Sequence, residues 1–251
     1  MAVRGGIENR PRKCPNPAAM PRIDQLLVRL GYGSRSEARE WIRAGRVAVR
    51  GVPATDPGAR VDPEAVRFDG EALDHPGDLL ILLHKPLGRV CSHDSGEGPN
   101  VYGLLPERWQ RRNPPVTSVG RLDKETSGLL LLTDRPALVH QLTSPRHAVA
   151  KVYLATLDRD PPAGTEEIFQ SGQCVLPGDS RPCAPATLRR TGPREAEIVL
   201  SEGRYHQVRR MFASQGCVVE ALHRIRIGDL DLGSLAPGQW RELPVGYFDG
   251  K

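Results

Sequence analysis

Two leucine-rich runs constrain this chain more than any other feature: L-L-I-L-L from Leu79 to Leu83 and L-L-L-L from Leu129 to Leu132. Each is strand-sized and far short of the roughly 20 apolar residues that span a bilayer. Both read as strands buried within a sheet. A polar stretch, V-G-R-L-D-K-E-T-S-G from Val119 to Gly128, runs directly into the second. Loops placed on rigid strands are where catalytic side chains concentrate. The surrounding pattern predicts strands over 79–84, 129–133, 151–157, 195–201 and 218–227. Helices are predicted over 137–143 and 206–215, the latter closed by Gly216. Regular β–α alternation is scarce, so the expected class is α+β with a mixed, mainly antiparallel sheet. The first residues are basic but no apolar segment follows them, so no secretory signal is expected.

Charge divides the chain. Between Met1 and Arg60, 12 Lys/Arg stand against 5 Asp/Glu, whereas the rest holds 23 against 25. A basic module on a near-neutral body suggests an appendage that docks on a polyanion. The five cysteines, Cys14, Cys91, Cys174, Cys183 and Cys217, are scattered and form no C-x-x-C pair, so they read as reduced thiols in a cytoplasmic protein. Residues 1–20, rich in Pro, Arg, Asn and Gly, read as a disordered tail. A helical unit follows, with Ile23, Leu26, Leu27 and Leu30 at helical spacing and Gly31 and Gly33 ending the helix. Ser34 and Glu37 form a capping-box pattern for a second helix that stops at Gly45. Arg35, Arg39 and Arg43 make one stripe along it. Val47 and Val49 then alternate as a short strand.

The segments R-I-D-Q-L-L-V-R-L-G, S-R-S-E-A-R-E-W-I and G-R-V-A-V-R-G resemble an S4-type RNA-binding domain over residues 21–70. That resemblance implies that Arg35, Arg39 and Arg43 lie on RNA phosphates, where Arg supplies charge and a fork of donors. Residues 71–78 then read as a linker before a catalytic domain over 79–251.

The run G-R-L-D-K-E-T-S-G-L-L-L-L-T resembles the signature of the pseudouridine synthases. On residues alone, Asp123 beside Arg121 reads equally as an ion pair that stabilises a turn. The resemblance places the family's catalytic Asp on Asp123 and its neighbouring Arg on Arg121. H-K-P-L-G at His84 to Gly88 resembles the element that opens the catalytic domain, with His where many members have Asn. Lys151-Val152-Tyr153 resembles the K-x-Y segment, whose Tyr packs on the target uracil. S-E-G-R-Y-H-Q-V-R-R-M from Ser201 to Met211 resembles the last motif, and its Arg209 is expected to pair with the Asp123 carboxylate. S-P-R-H at Ser144 to His147, E-G-R-Y-H-Q-V and Leu222-His223-Arg224 are most similar to the RsuA branch, which acts on small-subunit ribosomal RNA.

The resemblance implies isomerisation of a uridine in ribosomal RNA, most specifically 16S RNA, with no cofactor and no metal; the expected partner is that RNA in an assembling small subunit, and a monomer is the default state. Arg146, His147, Arg204, His206 and Arg210 are candidates to grip the RNA strand. Tyr205 and Phe212 read as core rather than stacking platforms. The alternatives are a 23S-directed enzyme of the same family, a catalytically silent assembly factor that only binds ribosomal RNA, and a metal-dependent nuclease. The last is disfavoured because no clustered carboxylate–His ligand set appears.

Overall fold

In a computed structural model, residues 20–144 and 149–248 are described. The tail read over residues 1–20 therefore lies outside the described residues except for Met20, as do Arg146 and His147.

The N-terminal part contains α1 (Ile23–Arg29), α2 (Arg35–Arg43), β1 (Val47–Val49), β2 (Val52–Pro53), β3 (Val66–Phe68) and β4 (Glu71–Ala72). These strands form a small antiparallel sheet in the order β2-β1-β3-β4. The capping box is present: the Glu37 N–H donates to Ser34 Oγ while the Ser34 N–H donates to the Glu37 carboxylate at 2.8 Å. Ile23, Leu26, Leu27, Leu30, Ala38, Ile42, Val47 and Val66 close a separate small core.

The larger part contains β5 (Leu80–Lys85), α3 (Glu107–Gln110), β6 (Thr117–Ser118), β7 (Thr126–Thr133), α4 (Pro136–Thr143), β8 (Lys151–Leu157), α5 (Thr165–Gln170), β9 (Thr187–Gly192), β10 (Glu195–Leu200), α6 (Gln207–Ser214), β11 (Val219–Ile227), β12 (Leu230–Asp231) and β13 (Trp240–Glu242). Its sheet runs β13-β5-β7-β11-β8-β10-β9, with β12 beside β11 and β6 beside β7. Every pairing is antiparallel except β7 with β11. The fold is thus α+β with a mixed, mainly antiparallel sheet.

The leucine runs are continuous because both faces of the sheet are covered. Side chains alternate along a strand, so Ile81, Leu83, Leu130 and Leu132 enter one core while Leu80, Leu82, Leu129 and Leu131 enter the other. β7 begins at Thr126, three residues earlier than the leucine pattern predicts, because Thr126, Ser127 and Gly128 pair with Leu222, His223 and Arg224 of β11.

The stretch expected to be a linker, 71–78, is fixed. Glu71 and Ala72 belong to β4. Beyond them, Arg112, whose side chain is fully buried, donates to the carbonyls of His75 and Gly77 and pairs with Asp134 at 2.6 Å. The other Asp134 oxygen accepts the Leu79 N–H at 2.7 Å. From the N-terminal side, Arg29 donates to Asp78 and to the Pro76 carbonyl. Arg112→Ala would leave the Asp134 charge buried without its partner. Urea denaturation should show a loss of about 3–5 kcal/mol. A loss below about 1 kcal/mol would mean that this pair does not fasten the segment.

Candidate active site

Asp123 sits in the turn that leads into β7, and the backbone of that turn is held from several sides. Lys85, at the end of β5, is fully buried. Its Nζ donates to the carbonyls of Thr126 at 2.8 Å, Pro86 at 3.1 Å and Lys124 at 3.3 Å. Burial pushes the Lys85 ammonium pKa down, against the opposing pull of Cys91, Glu125 and Asp123. The Gly88 N–H reaches the Lys124 carbonyl at 2.9 Å, and Cys91 Sγ lies 3.5 Å from both the N and the O of Leu122. The turn closes on itself through the Thr126 N–H and the Asp123 carbonyl, 3.0 Å apart. Thus every main-chain carbonyl of residues 122–126 is bonded, while the Asp123 side chain remains about one-third exposed. A carboxylate presented in this way can act as a nucleophile or as a base.

The neighbours of that carboxylate differ from those expected. The side chain that meets the Asp123 carboxylate is His206, whose Nε2 lies 3.3 Å from Oδ1. Arg209 instead donates to two main-chain carbonyls, Val219 at 2.7 Å and Glu125 at 2.9 Å. It thus steadies the loop that carries Asp123 rather than the carboxyl itself. Arg121 is exposed and does not pair with Asp123 in the structure.

Tyr153, in the middle of β8, is 9% exposed. Arg224 on β11 lies opposite it in register. The buried Arg224 guanidinium donates from Nε to the Leu129 carbonyl at 2.7 Å and from Nη1 to the Tyr153 oxygen at 3.3 Å. Its Nη2 is buried without a hydrogen-bond partner among the described residues. Gly128 makes this packing possible. Its φ is +113°, and a Cβ there would stand 2.2 Å from the Arg224 carbonyl oxygen, so a side chain is excluded.

Arg204 and Arg210, expected to grip RNA, both turn to one loop. Arg204 donates to the Arg181 and Pro182 carbonyls, and Arg210 to the Pro177 carbonyl; both pair with Asp179. They brace residues 177–182 against the start of α6. Arg35, Arg39 and Arg43 are exposed along α2, with Arg39 Nε 3.5 Å from the buried Asp24. Phe212 is buried, as its pattern predicts. Tyr205 is not core: it is 70% exposed. Lys85 and Arg224 stand in the H-K-P-L-G and L-H-R segments, yet residue type alone did not show that either organises the site.

Comparison with known proteins adds a consistent picture. A model of the RNA pseudouridylate synthase family matches residues 79–214, and an S4-domain model matches residues 21–66. Ribosomal small subunit pseudouridine synthase A of Yersinia pestis is 40% identical over 226 residues, covering 88% of this chain and 94% of that protein. The protein of the same name from Escherichia coli strain K12 is 39% identical over 227 residues, covering 88% and 96% respectively. A crystal structure of a pseudouridylate synthase superposes with a TM-score of 0.62 at 33% identity, covering 89% of this chain and 96% of that one.

Beside the Asp123 loop, Ser127 Oγ lies 2.8 Å from His223 Nδ1, and the His223 ring meets His84 edge-on with centroids 5.3 Å apart. Burial first, and His84 second, hold the His223 imidazole below its ordinary pKa of 6.5. The unfolded ring takes up a proton below that value, whereas the folded ring resists it. Stability is therefore full above the ordinary pKa and declines as pH falls through the lowered folded value. His223→Gln should flatten the decline in urea midpoint as pH falls below about 6.5. Parallel curves for variant and wild type would contradict this origin.

Proposed function

The chain belongs to the RNA pseudouridylate synthase family, and we propose that it isomerises one uridine of small-subunit ribosomal RNA to pseudouridine with Asp123 as the essential carboxylate. The observation that carries this reading is the geometry of Asp123: a partly exposed carboxylate on a turn whose main chain is bonded by Lys85, Arg209 and Cys91. The reaction breaks the bond between the ribose carbon and the ring nitrogen, turns the base in place, and joins its ring carbon to the same ribose carbon. The ring carbon loses its proton while the freed ring nitrogen gains one, so the net change is zero.

Asp123, Tyr153, Arg209 and the S4 arginines have distinct roles in that sequence. Asp123 acts at the sugar or the base as nucleophile or general base. Tyr153 packs on the uracil, its hydroxyl oxygen held by Arg224. Arg209 keeps the Asp123 loop in place through the Glu125 carbonyl. The target must leave its stack to reach Asp123, at a cost of a few kcal/mol. The Arg35, Arg39 and Arg43 stripe of the S4 domain offsets such costs by docking on phosphates without reading sequence. Small-subunit RNA is proposed as the substrate because the two relatives above carry that specificity in their names and are matched along nearly their whole length. A cytoplasmic monomer acting on an assembling small subunit completes the reading.

Site-resolved pseudouridine mapping on unmodified small-subunit RNA, naked and in partly assembled particles, tests it. Wild type should introduce one new pseudouridine, and Asp123→Asn should lower the rate by on the order of 10⁴-fold or more. Modification of large-subunit RNA alone would overturn the substrate assignment. No modification of either RNA would leave an RNA-binding assembly factor.

A further inference from the structure

The segment Arg204-Tyr205-His206 carries an arrangement that the chemistry at Asp123 does not use. His206 adopts the left-handed conformation, with φ +49° and ψ +34°, immediately before α6. A non-glycine residue there is uncommon and persists where the surroundings enforce it. The enforcement is visible on both sides. The Arg204 N–H donates to Gln207 Oε1 at 2.8 Å, and the Tyr205 carbonyl accepts from Arg210 Nη1 at 3.2 Å. The result is that the rings of Tyr205 and His206 lie stacked, with centroids 3.9 Å apart and planes 17° from parallel. The same His206 ring stands 3.3 Å from the Asp123 carboxylate. Tyr205 has one face against an imidazole and 70% of its surface exposed, so its other face is open to solvent. A large aromatic held rigidly, with an open face one ring away from the reacting group, has the form of a stacking surface. Aromatic rings of this kind bind unpaired bases because every base offers a π-face.

We propose that Tyr205 is a stacking platform for an unpaired nucleobase adjacent to the target uridine, with His206 as the spacer between that base and Asp123. The inference rests on the RNA-modifying reading of Asp123 and extends it to a neighbouring nucleotide. When the target uridine leaves its stack, its neighbour loses a stacking partner, and the open face of Tyr205 replaces it. The ring, rather than the phenolic hydroxyl, supplies the interaction, so Phe should substitute and Ala should not.

The test uses the full chain and a fluorescein-labelled oligouridylate of about ten nucleotides, a length within the footprint of single-strand binders. Affinity is measured by anisotropy for wild type, Tyr205→Phe and Tyr205→Ala, each with His206 intact and with His206→Ala. Tyr205→Ala should weaken binding about tenfold, within the range that base–aromatic stacking contributes, and Tyr205→Phe should stay within about twofold of wild type. The Ala loss should persist in the His206→Ala background. Equal affinity for wild type and Tyr205→Ala would overturn the platform, as would a Phe variant as weak as the Ala variant. A loss that vanishes once His206 is removed would also overturn it, since Tyr205 would then only prop the histidine. The affinity readout needs no turnover. Failure of the isomerase reading, seen as no pseudouridine formed, is therefore distinguished from failure of the platform, seen as an unchanged affinity.

Discussion

A fully buried ammonium group is costly unless oxygen atoms surround it. Lys85 meets that demand with three main-chain carbonyls, two of which, Lys124 and Thr126, flank Glu125 and follow directly on Asp123. The loop therefore cannot relax away from the end of β5 without stranding the charge. Arg209 adds a second cation on the Glu125 carbonyl from α6, and Gly88 and Cys91 add further bonds from the segment after β5. Three separate parts of the chain thus converge on the backbone of one turn. The carboxylate it displays is left partly in solvent, paired to His206. Fixing the backbone rather than the carboxyl keeps the side chain in place without consuming its oxygens.

Behind the turn, the single parallel pairing of the large sheet sets the depth of the site. β7 and β11 approach closely enough at Gly128 and Arg224 that no side chain fits on the former. The Arg224 guanidinium reaches the Leu129 carbonyl on the strand to one side of β11 and the Tyr153 oxygen on the strand to the other. Tyr153 and Asp123 are therefore located by two buried cations, Lys85 on β5 and Arg224 on β11, that both bond to carbonyls of β7. The clamped linker segment extends this order toward the S4 domain through Arg112 and Arg29. The N-terminal Arg stripe is thus carried on a body joined to the catalytic sheet by specific bonds.

Much of this was legible in the sequence. The leucine runs gave β5 and β7 because strands covered on both faces leave an unmistakable apolar signature. Ser34 and Glu37 marked the start of α2, and Gly216 marked the end of α6. β9 was not legible: T-L-R-R-T-G is an edge strand with mostly exposed side chains, so its composition reflects solvent. The linker reading of 71–78 followed from Gly70, Pro76 and Gly77, and missed the Arg112 and Arg29 contacts that come from far along the chain. Arg209, Arg204 and Arg210 were legible as basic residues near the site, but their partners are main-chain carbonyls and Asp179, which no spacing pattern encodes. Tyr205 read as core because aromatics usually are. Its exposure follows from the left-handed turn at His206, a conformation that residue type does not announce.

The buried Lys85 ammonium is what positions Asp123. Lys85→Met keeps the length and apolar stem of the side chain but removes the donor. With folding verified by thermal unfolding, the direct measurement is a single-turnover rate of pseudouridine formation at saturating RNA, taken beside the affinity for that RNA. The rate should fall by about a hundredfold or more, since small misplacements of a reacting group carry penalties of that size. RNA affinity should stay within about twofold, because the S4 stripe and strand contacts are untouched. A folded Lys85→Met protein that reacts at the wild-type rate would contradict this role of Lys85.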